Sequence, residues 1–195
     1  MDAQEMLRTF NDDPDLLKKI ITGDESLVYD YDIETKAQSS QWKRPEEPRP
    51  KKACHVRLNA KVLLTVFFDW NGVVHREFLP QDRTVNEEYC HEVMRRLREA
   101  IRQKSIKLQS WILYHDNACA WVFFGQKQNH NHASTTVFNW LGPRWLFLFP
   151  KVRTQMKGKR FAMIEKINEK SNQELLAIPK SVFQECFEDW KKTLA

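Results

Sequence analysis

The chain has 195 residues, 42% apolar and 29% charged, with 12 Phe and 7 Trp, a composition that fits one domain with a real core and excludes a disordered chain. No apolar run approaches the roughly 18 residues of a membrane span, and the acidic opening Met1-Asp2-Ala3-Gln4-Glu5 is no signal peptide. The net charge of +5 is blocky: residues 1–40 hold ten acids and four bases, whereas residues 41–61 and 151–170 each hold seven bases and two acids, a distribution that suits a phosphate-binding surface or, equally, solvated faces and a loop.

In chain order, residues 4–19 read as a short, weakly amphipathic lead-in. Ile20-Ile21 begins a strand that Leu27 to Tyr31 continues. Residues 43–52, with three prolines and seven charged residues among them, read as a loop, because proline removes backbone donors and the charges keep the segment out of a core. Val62 to Phe68 is short, continuous and β-branched or aromatic, the mark of a buried strand. Asp69-Trp70-Asn71-Gly72 turns the chain, and Val73 to Leu79 returns as the second arm of a hairpin. Thr84 and Glu87 have capping-box spacing and open a helix to about Gln103, with Tyr89, Val93, Leu97 and Ile101 as its buried stripe and Arg95, Arg96, Arg98 and Arg102 on other faces. Trp111 to Tyr114 is a short buried strand. Residues 118–149 show no clean period. Residues 165–176 and 181–194 are helical, the second with Phe183, Phe187, Trp190 and Leu194 on one side. The order predicts a mixed α/β chain in which the strand after the long helix crosses over onto the same sheet.

Asp24 follows Ile20-Ile21-Thr22-Gly23, and Asp116 follows Trp111-Ile112-Leu113-Tyr114-His115. Acids at the ends of two buried strands can converge on one point, where hard cations such as magnesium take carboxylate oxygens and a pair of metals can clamp both oxygens of a phosphodiester exchange. Acids in such places are also often merely solvated or cap a turn. The four cysteines, Cys54, Cys90, Cys119 and Cys186, form no C-x-x-C pair and are expected to be free thiols in a reducing compartment. Cys119 has no evident base and reads as a small buried residue. Asn129-His130-Asn131-His132 is contiguous, unlike the spread motif of HNH nucleases, and lacks further metal ligands nearby.

Several motifs occur in a fixed order: Thr22-Gly23-Asp24-Glu25-Ser26, the run from Val62 to Val74, the helix start Thr84 to Tyr89, His115-Asp116-Asn117-Ala118, then Leu148-Phe149-Pro150-Lys151 followed by Met156-Lys157-Gly158-Lys159-Arg160-Phe161. This series resembles the catalytic domain of mariner-type (Tc1/mariner superfamily) transposases, over nearly the whole chain from about residue 5. The resemblance implies a single domain over 1–195 with an RNase H-like mixed sheet flanked by helices. In that family three acids bind two Mg2+ or Mn2+ ions and cut and rejoin transposon ends. The first falls on Asp24 and the second on Asp116. The third belongs shortly before Leu148-Phe149-Pro150-Lys151, and the matching position is Trp145, preceded by Arg144. Neither can give a carboxylate oxygen to a metal.

The segment upstream departs as well. Where the family carries a P-P-Y-S-P-D-L-like run, this chain reads Ser134-Thr135-Thr136-Val137-Phe138-Asn139-Trp140, and 28 residues separate Asp116 from Trp145, fewer than the family uses. A disrupted region at about 118–147 is therefore expected, as a frameshift that later returned to frame would produce. The helix-turn-helix modules with which the family begins are expected to be absent. The basic loop at 43–52 matches an insertion that in the family helps hold the dimer and its DNA, and it has the composition of a nuclear-import signal.

The functional expectation is a transposase-derived protein without strand transfer, in which Asp24 and Asp116 are remnant acids with a weak claim on Mg2+ or Mn2+. Residual metal-dependent nicking, or a relic of a mobile element without function, are the alternatives. Lys43, Arg44, Arg49, Lys51, Lys52, Lys157, Lys159 and Arg160 are the expected nucleic-acid contacts. The expected partners are DNA, bound without sequence preference and sensitively to salt, and a second copy of the chain; no membrane is expected. The expected location is intracellular, in the nucleus.

Overall fold

The first strand, β1 (Ile20–Tyr29), pairs from Thr22 to Tyr29 on one side and only from Ile20 to Thr22 on the other. This was seen in a computed structural model, which describes residues 8, 10, 12–13, 15–31, 40, 61–104, 111–115, 133–136, 144–161 and 163–194; of 133–136, 144–147 and 194 it describes the backbone alone. A single helical turn, α1 (Leu16–Lys19), leads into β1. β2 (Lys61–Asp69) runs antiparallel to β1, with Thr22 opposite Phe68 and Tyr29 opposite Lys61. β3 (Gly72–Phe78) completes the hairpin, with a bulge between Phe67 and Phe68. β4 (Trp111–Tyr114) lies parallel to β1 on its other side, and β5 (Ala133–Thr136) lies parallel to β4. The sheet order is β3-β2-β1-β4-β5, so the chain after the long helix does cross over onto the same sheet.

The unbroken apolar run of β2 has a simple cause: both faces of the sheet are covered. Val62, Leu64, Val66 and Phe68 point to one core, which they share with Ile20, Val28 and Tyr114. Phe67 points to the other, with Ile21 and Leu113. The first core is closed by three helices: α3 (Arg144–Met156) brings Leu148, Val152 and Met156, α4 (Ile164–Ala177) brings Ile167 and Leu175, and α5 (Lys180–Leu194) brings Phe183, Phe187 and Trp190. Edge and tilted ring contacts fill it, among them Tyr114–Trp190 at 5.0 Å, Phe10–Trp190 at 5.5 Å and Phe68–Phe183 at 5.7 Å between centroids. The second core is closed by α2 (Glu87–Lys104), whose Tyr89, Val93, Leu97 and Ile101 stripe is buried as its spacing predicts.

Two local details, the cap of α2 and the start of α3, differ from the sequence reading, and the hairpin turn is where it was expected. The cap of α2 is Asn86 rather than Thr84: its side-chain oxygen accepts the Tyr89 N–H at 2.8 Å, three residues on, as an N-cap does. The hairpin turn uses its glycine, Gly72 at φ 127°, and Asp69 Oδ1 accepts the Asn71 N–H at 2.8 Å as an Asx turn. Within 118–147, expected to be disrupted, the described residues include β5 and the first turn of α3. Pro150 hid that helix from the sequence. It lies inside α3, where its missing N–H breaks one helical bond, and the apolar contacts of Leu148, Phe149 and Val152 hold the helix despite it.

Candidate functional site

Asp24 is the fifth residue of β1, in the middle of the strand rather than at its end. The reason lies in its two neighbours. Antiparallel pairing with β2 continues past it, with Asp24 opposite Val66. Parallel pairing with β4 stops at Thr22 opposite Tyr114. Asp24 therefore stands just beyond the carboxyl end of the parallel pair, the place where open α/β sheets collect their ligands. Its Oδ1 accepts the Glu25 N–H at 2.8 Å, and the residue is half-buried. Strand alternation puts it on the same face as Ile20, Ser26 and Val28, the face covered by α3, α4 and α5.

Two residues flank this acid in ways the sequence reading missed. Gly23 has no room for a side chain, because the Phe67 ring lies over it; a glycine just before the acid was the available signal. The same ring stacks on His115 at 5.4 Å, and His115 is fully buried. On the opposite face Arg153, from α3, donates to Ser26 Oγ at 2.6 Å, two residues from Asp24. It was counted only within the basic block at 151–170.

Asp116 follows His115 directly and lies outside the described residues, as do Lys43, Arg44, Arg49, Lys51 and Lys52. Trp145 is described as backbone, in the first turn of α3. Among the described residues no group of three or more His, Cys, Asp or Glu stands together as a metal site. Of the two expected acids, Asp24 is the one the structure describes.

Of the expected nucleic-acid contacts, Lys157, Lys159 and Arg160 are described. Gly158, at φ 77°, turns the chain at the end of α3. Lys157 is half-buried, and Lys159 and Arg160 are exposed. Arg160 then pairs with Tyr31 in an isolated antiparallel bridge, and its guanidinium lies 5.1 Å from the centroid of the Tyr31 ring. Cys90 and Cys186 are in no disulfide, and both are buried; Cys54 and Cys119 lie outside the described residues. No helix among the described residues is long and apolar enough to cross a membrane.

Comparison with known proteins places this architecture. Residues 32–110 match the family model of a transposase, partial DDE domain, a stretch that contains neither Asp24 nor Asp116. The Mariner Mos1 transposase of Drosophila mauritiana is 29% identical over 106 residues, which is 52% of this chain and 30% of that protein. The human histone-lysine N-methyltransferase SETMAR is 29% identical over 168 residues, 80% of this chain and 23% of that protein. The chain thus spans less than a third of each of these relatives. Among solved structures, the Mos1 paired-end complex with Mn matches 98% of this chain and 58% of that one, at a TM-score of 0.84 and 20% identity. The crystallised catalytic domain of Mos1 matches 98% of this chain and 86% of that one, at a TM-score of 0.73 and 17% identity. The RNase H-like mixed sheet expected from the sequence is therefore the fold of this chain. By sequence relatives and by fold together, the chain is similar to the catalytic domain of mariner-type transposases.

Proposed function

We propose that this chain is a transposase-derived DNA-binding protein whose metal-dependent cutting site is incomplete. The observation that carries the reading is the pairing of a preserved scaffold with a missing ligand. Asp24 stands where β1 outruns β4, while the position that the sequence resemblance matches to the family's third acid is Trp145, which lies on α3. Asp116 supports the first half of this. The register of β1 with β4 is offset by 92 residues, from Ile20 opposite Ile112 to Thr22 opposite Tyr114. Asp24 and Asp116 are separated by the same 92 positions, and we take them as the two acids that remain. They leave an incomplete set for Mg2+ or Mn2+. Without a second metal's charge stabilisation, the barrier to phosphoryl transfer would stand several kcal/mol higher.

Binding to DNA without sequence preference is the activity this reading keeps. Its support is the exposed Lys159 and Arg160 beside Lys157, the basic composition of 43–52, and the solved Mos1 complex with a left transposon end as a structural relative. A protein of this kind works in the nucleus, with a second copy of itself as the natural partner on DNA.

The test is a nicking assay on supercoiled plasmid with Mg2+ or Mn2+, run beside a gel shift at low salt. No cleavage together with a salt-sensitive shift is expected. Cleavage that disappears in Asp24→Ala would overturn the incomplete-site reading. No shift at any salt concentration would overturn the DNA-binding half and favour a relic.

A further inference from the structure

A groove of about 330 Å3 lies between the Arg160–Phe161 segment and α4, lined by Arg160, Phe161, Lys166, Glu169, Lys170 and Gln173. Both walls are fixed by the fold. On one side the turn at Gly158 returns the chain to the end of β1, where Phe161 N–H donates to the Asp30 carbonyl at 3.0 Å and Arg160 bridges to Tyr31. On the other side Lys166, Lys170 and Gln173 recur at helical spacing and form one stripe of α4. Ile167, Ser171 and Leu175 on the opposite stripe are buried, so α4 cannot roll and the lysines keep facing the groove.

The charge balance favours an anion. Three cations line the groove against one acid, Glu169. That acid pairs with Lys166 at 3.0 Å, with both side chains more than half exposed, and Lys170 pairs with Glu174 at 2.7 Å at the groove's margin. The exposed Lys166–Glu169 pair holds weakly, and an incoming phosphate can take over Lys166, while Lys170 keeps its more buried partner and adds its remaining ammonium donors. Arg160 is better prepared than the lysines. With its guanidinium stacked on the Tyr31 ring, its donors lie in the plane of the fork, the geometry that grips a phosphate with two parallel bonds.

We propose that this groove seats backbone phosphates of duplex DNA, with Arg160 as the two-pronged anchor, Lys166 and Lys170 as flanking cations, and Tyr31 as the positioning residue that holds the Arg160 fork. This rests on the DNA-binding reading and locates that binding on α4 and the end of β1. The experiment measures affinity for a short duplex of arbitrary sequence by fluorescence anisotropy across a salt series. Each phosphate contact adds about 0.9 to the slope of log K against log salt concentration. The Lys166→Gln, Lys170→Gln double variant is expected to lower the slope by about 1.8, and adding Arg160→Gln by about 0.9 more. Tyr31→Leu keeps every charge; it is expected to weaken binding severalfold at all salt concentrations with the slope unchanged. Lys180→Gln with Lys191→Gln, on α5 and outside the groove, is expected to leave the slope as it is. Circular dichroism melts establish that each variant is folded. A wild-type chain that binds no duplex overturns the DNA-binding reading and this site with it. Wild-type binding whose slope is untouched by the groove variants, or lowered as much by the α5 pair, overturns the site alone and leaves DNA binding elsewhere on the chain.

Discussion

Gly23 and Phe67 share one volume: a Cβ built on Gly23 would overlap Cδ1 of Phe67 and come within 2.7 Å of its Cε1. The two residues are opposite each other in the β1–β2 pair. Phe67 is fully buried and stacks on His115. One ring therefore packs against both the residue before Asp24 and the residue before Asp116.

Gly23→Ala is accordingly expected to destabilise the fold by about 1–3 kcal/mol, the cost of forcing extra volume into a close-packed core. Urea unfolding should report a single cooperative transition with a lower midpoint at an unchanged slope. Phe67→Leu introduced into the Gly23→Ala chain should recover part of the loss, because it clears the space the new methyl needs. A Gly23→Ala chain as stable as the wild type would show that the ring moves aside freely.

Much of this arrangement could be read from the sequence, for a reason visible in particular residues. Val62 to Phe68 and the Tyr89–Val93–Leu97–Ile101 stripe are dictated by local periodicity, and both elements formed where their patterns put them. The fate of Asp24 was not local. Whether a strand stops at an acid or runs past it depends on how far each neighbour pairs, and β2 and β4 differ in that. The start of α3 was hidden by Pro150, whose helix-breaking tendency is overridden by tertiary burial of Leu148 and Val152. The Arg160–Tyr31 pair joins residues 129 positions apart, and no sequence period encodes such a contact.

A second prediction concerns acid. Glu77 is mostly buried, which opposes its charged form. The His75 hydrogen bond at 3.0 Å and the Arg96 guanidinium at 3.3 Å outweigh that burial and hold its carboxyl below the ordinary value of 4.5. A carboxyl depressed in the folded state binds its proton more readily when unfolded, so its contribution is present above the unfolded value and is lost as pH falls through the folded one. The stability gap between the wild type and Glu77→Gln should therefore be widest near neutral pH and narrow below about pH 4.5. Urea midpoints measured from pH 7 downward would contradict this if the gap stayed constant.

A third concerns thiol chemistry. Burial, reinforced by the charge of Asp189 and partly opposed by Lys151, pushes the Cys186 thiol up to about 12. The reactive species is the thiolate, so Cys186 should resist iodoacetamide at neutral pH in the folded chain and react once the chain is unfolded in urea. Peptide mass spectrometry separates Cys186 and Cys90 from the other two cysteines. Alkylation of Cys186 in native buffer at the rate of a small free thiol would show that α5 opens far more often than its packed Phe183–Phe187–Trp190 face implies.

The fourth tests whether the missing ligand is the whole of the defect. Trp145 lies in the first turn of α3, and later turns of that helix are anchored by Leu148, Val152 and Met156, none more than 3% exposed. The Arg153 bond to Ser26 ties α3 to β1 on the face that carries Asp24. An acid in a first turn is favoured by the helix dipole by about 0.3–1 kcal/mol, so Trp145→Asp is not expected to disturb the helix start. If α3 presents position 145 toward Asp24, that variant should gain a Mn2+-dependent rise in melting temperature that the wild type lacks, since a ligand at 100 times its Kd adds about 2.7 kcal/mol. The gain should vanish in the Asp24→Ala, Trp145→Asp double variant, which separates a shared site from adventitious binding at the new carboxylate. If Trp145→Asp responds to Mn2+ no more than the wild type, the missing ligand is not the whole of the defect, and a carboxylate restored on an intact helix does not by itself complete the site.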